Sequence, residues 1–194
     1  MEAPPLLSAA DIAAFAKQAA GLRGVKQLRW AAEHMTGQTA SPFEVQASML
    51  VSLPRNEGGM GINIANNVRI PLSDAARSLY DKTCCYADIL IESNNDSMGV
   101  ILECQGRSAH DGEAASLSDA ERTTALTSMG YDVIQITYEQ IKDTKSFNNI
   151  AELIHKKAGL PYIPKTDQKR TTEDALRREL LVDWDELFAV KPAS

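Results

Sequence analysis

The stretch that most limits what this chain can become is residues 86–110, YADILIESNNDSMGVILECQGRSAH. It reads as two short apolar strands, 87–92 and 99–105, joined by SNNDSM, whose Asn, Asp and Ser are turn formers. Three polar side chains sit inside these strands where apolar ones belong: Asp88, Glu103 and Gln105. Glu103 and Gln105 are two residues apart, so in a strand they share a face, and a hairpin brings Asp88 alongside. Two carboxylates buried together are costly, because like charges raise each other's pKa and a buried anion needs a partner. A hard divalent cation relieves that cost, and Mg²⁺ is typically held by one or two carboxylates together with phosphate oxygens.

The rest of the chain bounds this idea. Its 194 residues suffice for one domain with helical additions and a real core. A net charge of −6 argues against a protein that coats nucleic acid. Basic residues nevertheless cluster. Arg23, Lys26 and Arg29 recur at helical spacing, and Lys156, Lys157, Lys165, Lys169, Arg170, Arg177 and Arg178 crowd the C-terminal part. They are open to two readings, solvated helix faces or local patches that meet phosphate. No apolar run reaches transmembrane length, and MEAPPLLSAAD lacks the basic start and apolar core of a signal peptide. With three cysteines, two of them adjacent, no disulfide framework is suggested, and a reducing cytoplasm away from any membrane is the expected location.

In chain order, Ser8 caps a helix running to about residue 20, Gly21 and Gly24 interrupt it, and a second helix spans 25–35. Ser41-Pro42-Phe43-Glu44 is a strong helix start, with Ser as cap, Pro in the first turn and Glu three residues on; the helix runs to Leu53 and Pro54 stops it. RNEGGMGI at 55–62 matches neither a P-loop nor a dinucleotide fingerprint and reads as a plain turn. A first strand is expected at 63–70. Residues 71–83 are ambiguous, with room for a short helix. After His110 a helix begins at Ser116 or Ser118 and ends at Gly130, a strand follows over 131–138, then a helix capped near Ser146 and a last amphipathic helix over 173–187.

In this order the elements resemble the PD-(D/E)xK nuclease-like superfamily, and in particular its compact branch related to very-short-patch repair endonucleases. The fragments that carry the resemblance are SPFE at 41–44, YADILIE at 86–92, ECQG at 103–106, His110, and DAERTTALTSMGYDVIQIT at 119–137. It implies a restriction-endonuclease-like α/β fold, an αβββαβ core whose central mixed four-stranded sheet is flanked by helices. Residues 41–158 form that core, 1–40 a helical N-terminal extension and 159–194 a linker with the C-terminal helix. The activity it implies is Mg²⁺- or Mn²⁺-dependent hydrolysis of DNA phosphodiesters, with DNA as partner and a homodimer as a further option.

Carried over residue by residue, Asp88 and Glu103 hold the metal, Glu44 joins them from its helix, and Gln105 stands where the family's lysine sits. His110 donates a proton or contacts phosphate, and Arg107 and Arg122 bind substrate. Gln105 is a departure, because a neutral amide orients only by hydrogen bonds where lysine supplies charge. That departure and the acidic net charge leave a second reading, a degenerate nuclease fold serving as a DNA-binding or regulatory, antitoxin-like module. An enzyme acting on a small phosphorylated molecule lacks the phosphate loop it would need.

Plainer roles stand beside each residue. Asp88 fits a solvent-facing strand end, Gln105 a strand-end hydrogen bond, Glu44 a capping box, His110 an incidental loop position, and Arg122 a helix-surface pair with Asp119. Glu103, flanked by apolar residues, is read as a metal ligand rather than as half of a salt bridge with Arg122. Zinc is rejected: Cys84, Cys85 and Cys104 include no C-x-x-C pair, and Cys104 should face away from Glu103 and Gln105.

Overall fold

Strand β3 (Gly99–Gln105) is apolar on both sides, as a strand covered on two faces must be, and the computed structural model of the chain places it inside a four-stranded sheet. The structure describes residues 8–106 and 113–182, the side chains of 113–116 excepted. The other strands are β1 (Ile64–Pro71), β2 (Cys84–Ile91) and β4 (Tyr131–Thr137), and the order across the sheet is β1-β2-β3-β4. The first two pairings are antiparallel and β3–β4 is parallel. Helix α5 (Glu113–Ser128) lies between β3 and β4 in sequence, as a parallel pair requires. The protein is therefore an α/β structure with a mixed sheet flanked by helices.

Two apolar cores lie against the two faces. One gathers Ile89, Ile91, Val100, Leu102, Ile134 and Ile136 against helices α3 (Pro42–Ser52) and α7 (Thr144–Lys157). The other gathers Ile70, Cys85, Ala87 and Ile101 against α5 and the short α4 (Asp74–Arg77). Ser41 caps α3 as expected, its Oγ accepting the Glu44 N–H at 3.2 Å. The Gly-rich turn is indeed structural. The N–H groups of Met60, Gly61 and Ile62 donate to the carbonyls of Leu50, Leu53 and Val51 at 2.9, 2.9 and 3.0 Å, so they close the end of α3. A Cβ on Gly59 would stand 2.0 Å from the Leu53 carbonyl oxygen, which explains the glycine.

Helix α8 (Asp167–Leu180) begins well before the expected residue 173, capped by Thr166. It is fastened by charge. Arg177 donates to the carbonyls of Ile141 (2.7 Å) and Lys142 (2.5 Å) at the end of α6 (Tyr138–Lys142) and to Thr144 Oγ1 (2.9 Å). Lys169 Nζ donates to the Gly59 carbonyl at 2.5 Å, and Lys165 pairs with Glu173 at 2.7 Å. Lys169, Glu173 and Arg177 are buried, so this part of the C-terminal basic crowd is not a surface patch. Helix α7 is capped by Asp143 rather than near Ser146, whose N–H is the group that Asp143 accepts.

The chain divides into two compact units, Met1–Gly37 and Gln38–Ser194. In the first, α1 (Ala9–Gln18) has a reciprocal Ser8–Asp11 capping box, and Arg29 of α2 (Val25–Glu33) donates to the Ala16 carbonyl at 3.1 Å. Among the described residues no helix is long and apolar enough to cross a membrane.

Candidate active site

The site is a fork in the sheet, and its cause is local. Asn67 sits at φ +49°, a left-handed conformation that Asn tolerates better than most residues. The β1–β2 register runs Asn66↔Ile89 and then Val68↔Ala87, omitting the pair of Asn67 with Asp88. Across this gap the strands exchange faces: Ile89 and Ile91 belong to one core, Cys85 and Ala87 to the other. Buried Asn66 secures the kink, its Nδ2 donating to Ser48 Oγ at 2.6 Å and to the Asp88 carbonyl at 3.1 Å.

The kink ends the β2–β3 ladder early. Only residues 89–91 pair with 100–102. Beyond that point β3 continues to Gln105 paired with β4, and the 84–87 part of β2 is paired with β1. Asp88 and Glu103 therefore stand at the crotch, one on each tine. The half-buried Asp88 reaches across, its Oδ2 accepting the backbone N–H of Cys104 at 2.8 Å in place of a ladder bond.

Glu103 is 4% exposed and turned toward α5. Arg122 meets it with a two-pronged contact, Nη2 donating to Oε1 at 2.9 Å and Nη1 lying 2.8 Å from Oε2. The same guanidinium donates to the Tyr86 carbonyl on the other tine, so it ties the fork's two sides together. Buried Glu44 approaches from α3. Its Oε2 accepts the Ala40 N–H at 2.7 Å and its Oε1 the Ser41 hydroxyl at 2.9 Å. Gln105 is half-buried at the end of β3, opposite Thr137, with its amide unengaged among the described residues.

Asp88 stands between the other charges: it acts on Glu103 and on Arg122, and Glu44 acts on it from α3. Burial raises Asp88 above the ordinary aspartate value; the Cys104 N–H opposes this and the charge of Glu44 adds to it. Burial pushes Glu103 up to about 7, Arg122 pulling it down and Asp88 pushing it further up. Burial also raises the Cys104 thiol, with Asp88, Glu44 and Glu103 adding to the shift, so that sulfur stays protonated. Cys104 packs toward the core on the α3 side while Glu103 meets α5, as alternation along β3 requires, and all three cysteines are free.

The structure thus brings Asp88 near Glu103 on one side and near Glu44 on the other, with Gln105 beyond them at the end of β3. Arg107 and His110 lie outside the described residues. One expectation is corrected: Glu103 has a protein counter-ion, Arg122, which pairs across to the sheet and also donates to the Tyr86 carbonyl. The reason is reach: Arg122 stands four residues before buried Leu126, so its side chain lies over the sheet rather than over solvent. Among the described residues no group of three or more His, Cys, Asp or Glu is arranged to hold a metal ion. That agrees with the hydrogen bonding, since Glu103's oxygens face Arg122 and Glu44's face its own helix start.

Sequence reasoning missed three contributors: the Cys104 N–H, the Tyr86 carbonyl and the Asn66 side chain. Backbone groups leave no mark in a sequence. Asn66-Asn67 within a strand did leave one, because paired Asn is turn chemistry. Compared with known proteins, the chain matches no family model, no curated protein and no solved structure.

Proposed function

We propose that the fork is the site of metal-dependent phosphodiester hydrolysis, with DNA as substrate, on a restriction-endonuclease-like fold. One observation carries the reading: a half-buried crossing of the sheet holds two carboxylates, Asp88 and Glu103, near a single guanidinium, with Glu44 acting on Asp88 from α3, where the strand ladder stops. An excess of buried hard-oxygen donors is the chemistry that fits Mg²⁺ or Mn²⁺. Asp88 and Glu103 would hold the ion, with Glu44 beside them on α3. A bound divalent ion supplies positive charge to the phosphodiester and lowers the pKa of water. Gln105 would orient water or a phosphate oxygen through its open amide, and Asp88 keeps its aim through the Cys104 N–H. Arg107 and His110 enter through the resemblance alone, as phosphate contact and proton donor.

A second reading has its own support. Gln105 in place of lysine, together with a guanidinium already on Glu103, suits a fold that has given up catalysis and binds DNA or a protein partner. The two separate on incubation with supercoiled plasmid and single-stranded DNA under Mg²⁺, Mn²⁺ or chelator. Metal-dependent nicking that disappears in both Asp88→Ala and Glu103→Ala supports the nuclease. DNA binding that survives both substitutions, with no cutting at any metal concentration, supports the module and ends the hydrolytic reading.

A further inference from the structure

We propose that Arg122 is a resident counter-cation of the fork, displaced from Glu103 when a divalent ion enters, so that it sets how tightly the ion is held. This rests on the metal reading above and goes beyond it, because it gives the guanidinium a role opposed to binding.

The geometry points to competition. The two prongs of Arg122 occupy one side of each Glu103 oxygen at 2.9 and 2.8 Å, and the carboxylate is too enclosed to turn a second face to solvent, its side chain being 5% exposed. An ion that takes these oxygens must share them with a guanidinium or replace it, and two cations on one buried carboxylate repel. Arg122 has somewhere to go. Its side chain is 24% exposed, against 5% for its partner, and its backbone is held by Ala125 and Leu126 in the core, so the head can swing while the helix stays put. The Tyr86 carbonyl gives it a second anchor during that swing. Charge counting agrees: Arg122 offsets one of the two carboxylates of the fork, and exchange for a divalent ion offsets both.

The opposite role is equally concrete. A guanidinium that orients Glu103 for the ion would make binding weaker when removed, as supporting hydrogen bonds to metal ligands do. The two are separated by titrating MnCl₂ alone into chelator-treated protein by calorimetry, with melting curves in parallel, for wild type, Arg122→Gln, Arg122→Lys and Glu103→Gln. Competition gives Arg122→Gln at least tenfold tighter Mn²⁺ binding, a lower melting temperature without metal, and a larger upward shift on adding it. Arg122→Lys, which keeps charge but loses the second prong, falls between. Glu103→Gln binds worst. If Arg122→Gln binds Mn²⁺ no more tightly than wild type, the counter-cation role is wrong and the metal reading stands. If no variant binds, both fall. Should Arg122→Gln fail to fold without metal, Arg122→Lys decides: tighter binding supports displacement, and equal or weaker binding overturns it.

Discussion

Two regions of this molecule bury more charge than they pair, and they do so in different ways. Under α8, Lys165, Lys169 and Arg177 face one buried acid, Glu173, and the half-exposed Asp174, which lies 3.6 Å from Arg177. Each cation there is handed to neutral acceptors, namely the carbonyls of Gly59, Ile141 and Lys142, the Thr144 hydroxyl and the Asn148 amide. Two of them also lie over the Phe147 ring, at 5.2 and 4.9 Å. Their charge fastens α8 to α6, to α7 and to the glycine-rich turn after α3. At the fork the arrangement undoes structure instead. The β2–β3 ladder stops after three pairs beside a left-handed Asn67, and the two acids stand where the next pair would have been. Buried charge alone is therefore a poor sign of function. Buried charge that interrupts its own scaffold is a better one.

The comparison breaks most visibly if both regions are made apolar. Glu103→Leu with Arg122→Met removes a buried pair together, a change that is often neutral or stabilising by about 1–4 kcal/mol. A urea midpoint no lower than wild type is expected, together with a loss of DNA cleavage of at least about a thousandfold, equivalent to about 4 kcal/mol of barrier. Under α8 the balance is reversed. Arg177→Met strands the carbonyls of Ile141 and Lys142, at about 1–3 kcal/mol for each, read from the urea midpoint, with cleavage by the folded fraction retained.

Acidity sharpens the contrast further, because the regions respond with opposite sign. Burial holds Glu103 near 7 against an ordinary 4.5, so between those values the folded chain carries more protons than the unfolded one. Its contribution is full below about pH 4.5 and is lost as pH rises through about 7. Lys169 is lowered by burial from 10.5 to about 8, so there the unfolded chain carries more protons. Its contribution is present above about pH 10.5 and is lost as pH falls through about 8. Melting curves in chelator should show the first slope vanish in Glu103→Gln and the second in Lys169→Met. The smallest effect belongs to Ser41→Ala, which removes the α3 cap and one of Glu44's partners for about 1 kcal/mol.

Much of the architecture was legible because it rests on local chemistry. The SPFE helix start, the polar turn between β2 and β3, Gly130 and the alternation in YDVIQIT each stand where their residue types require. The nearness of Asp88 to Glu103 was legible as well, since both are acids in neighbouring apolar strands. Two things were not. The start of α8 was hidden because Lys169, Glu173 and Arg177 look like a solvated face, and only carbonyls distant in sequence make their burial affordable. The Arg122–Glu103 pair was named and set below a metal ligand, because a sequence does not show that a helix residue 19 positions away reaches the strand.

Soaking crystals with Mn²⁺ and reading the anomalous difference map tests the fork most directly. A single strong peak at about 2.1–2.2 Å from carboxylate oxygens of both Asp88 and Glu103, close to the distance hard divalent ions prefer, is the expected result. A map with no peak between the tines, or one in which Arg122 still grips Glu103 while the ion sits elsewhere, would contradict it.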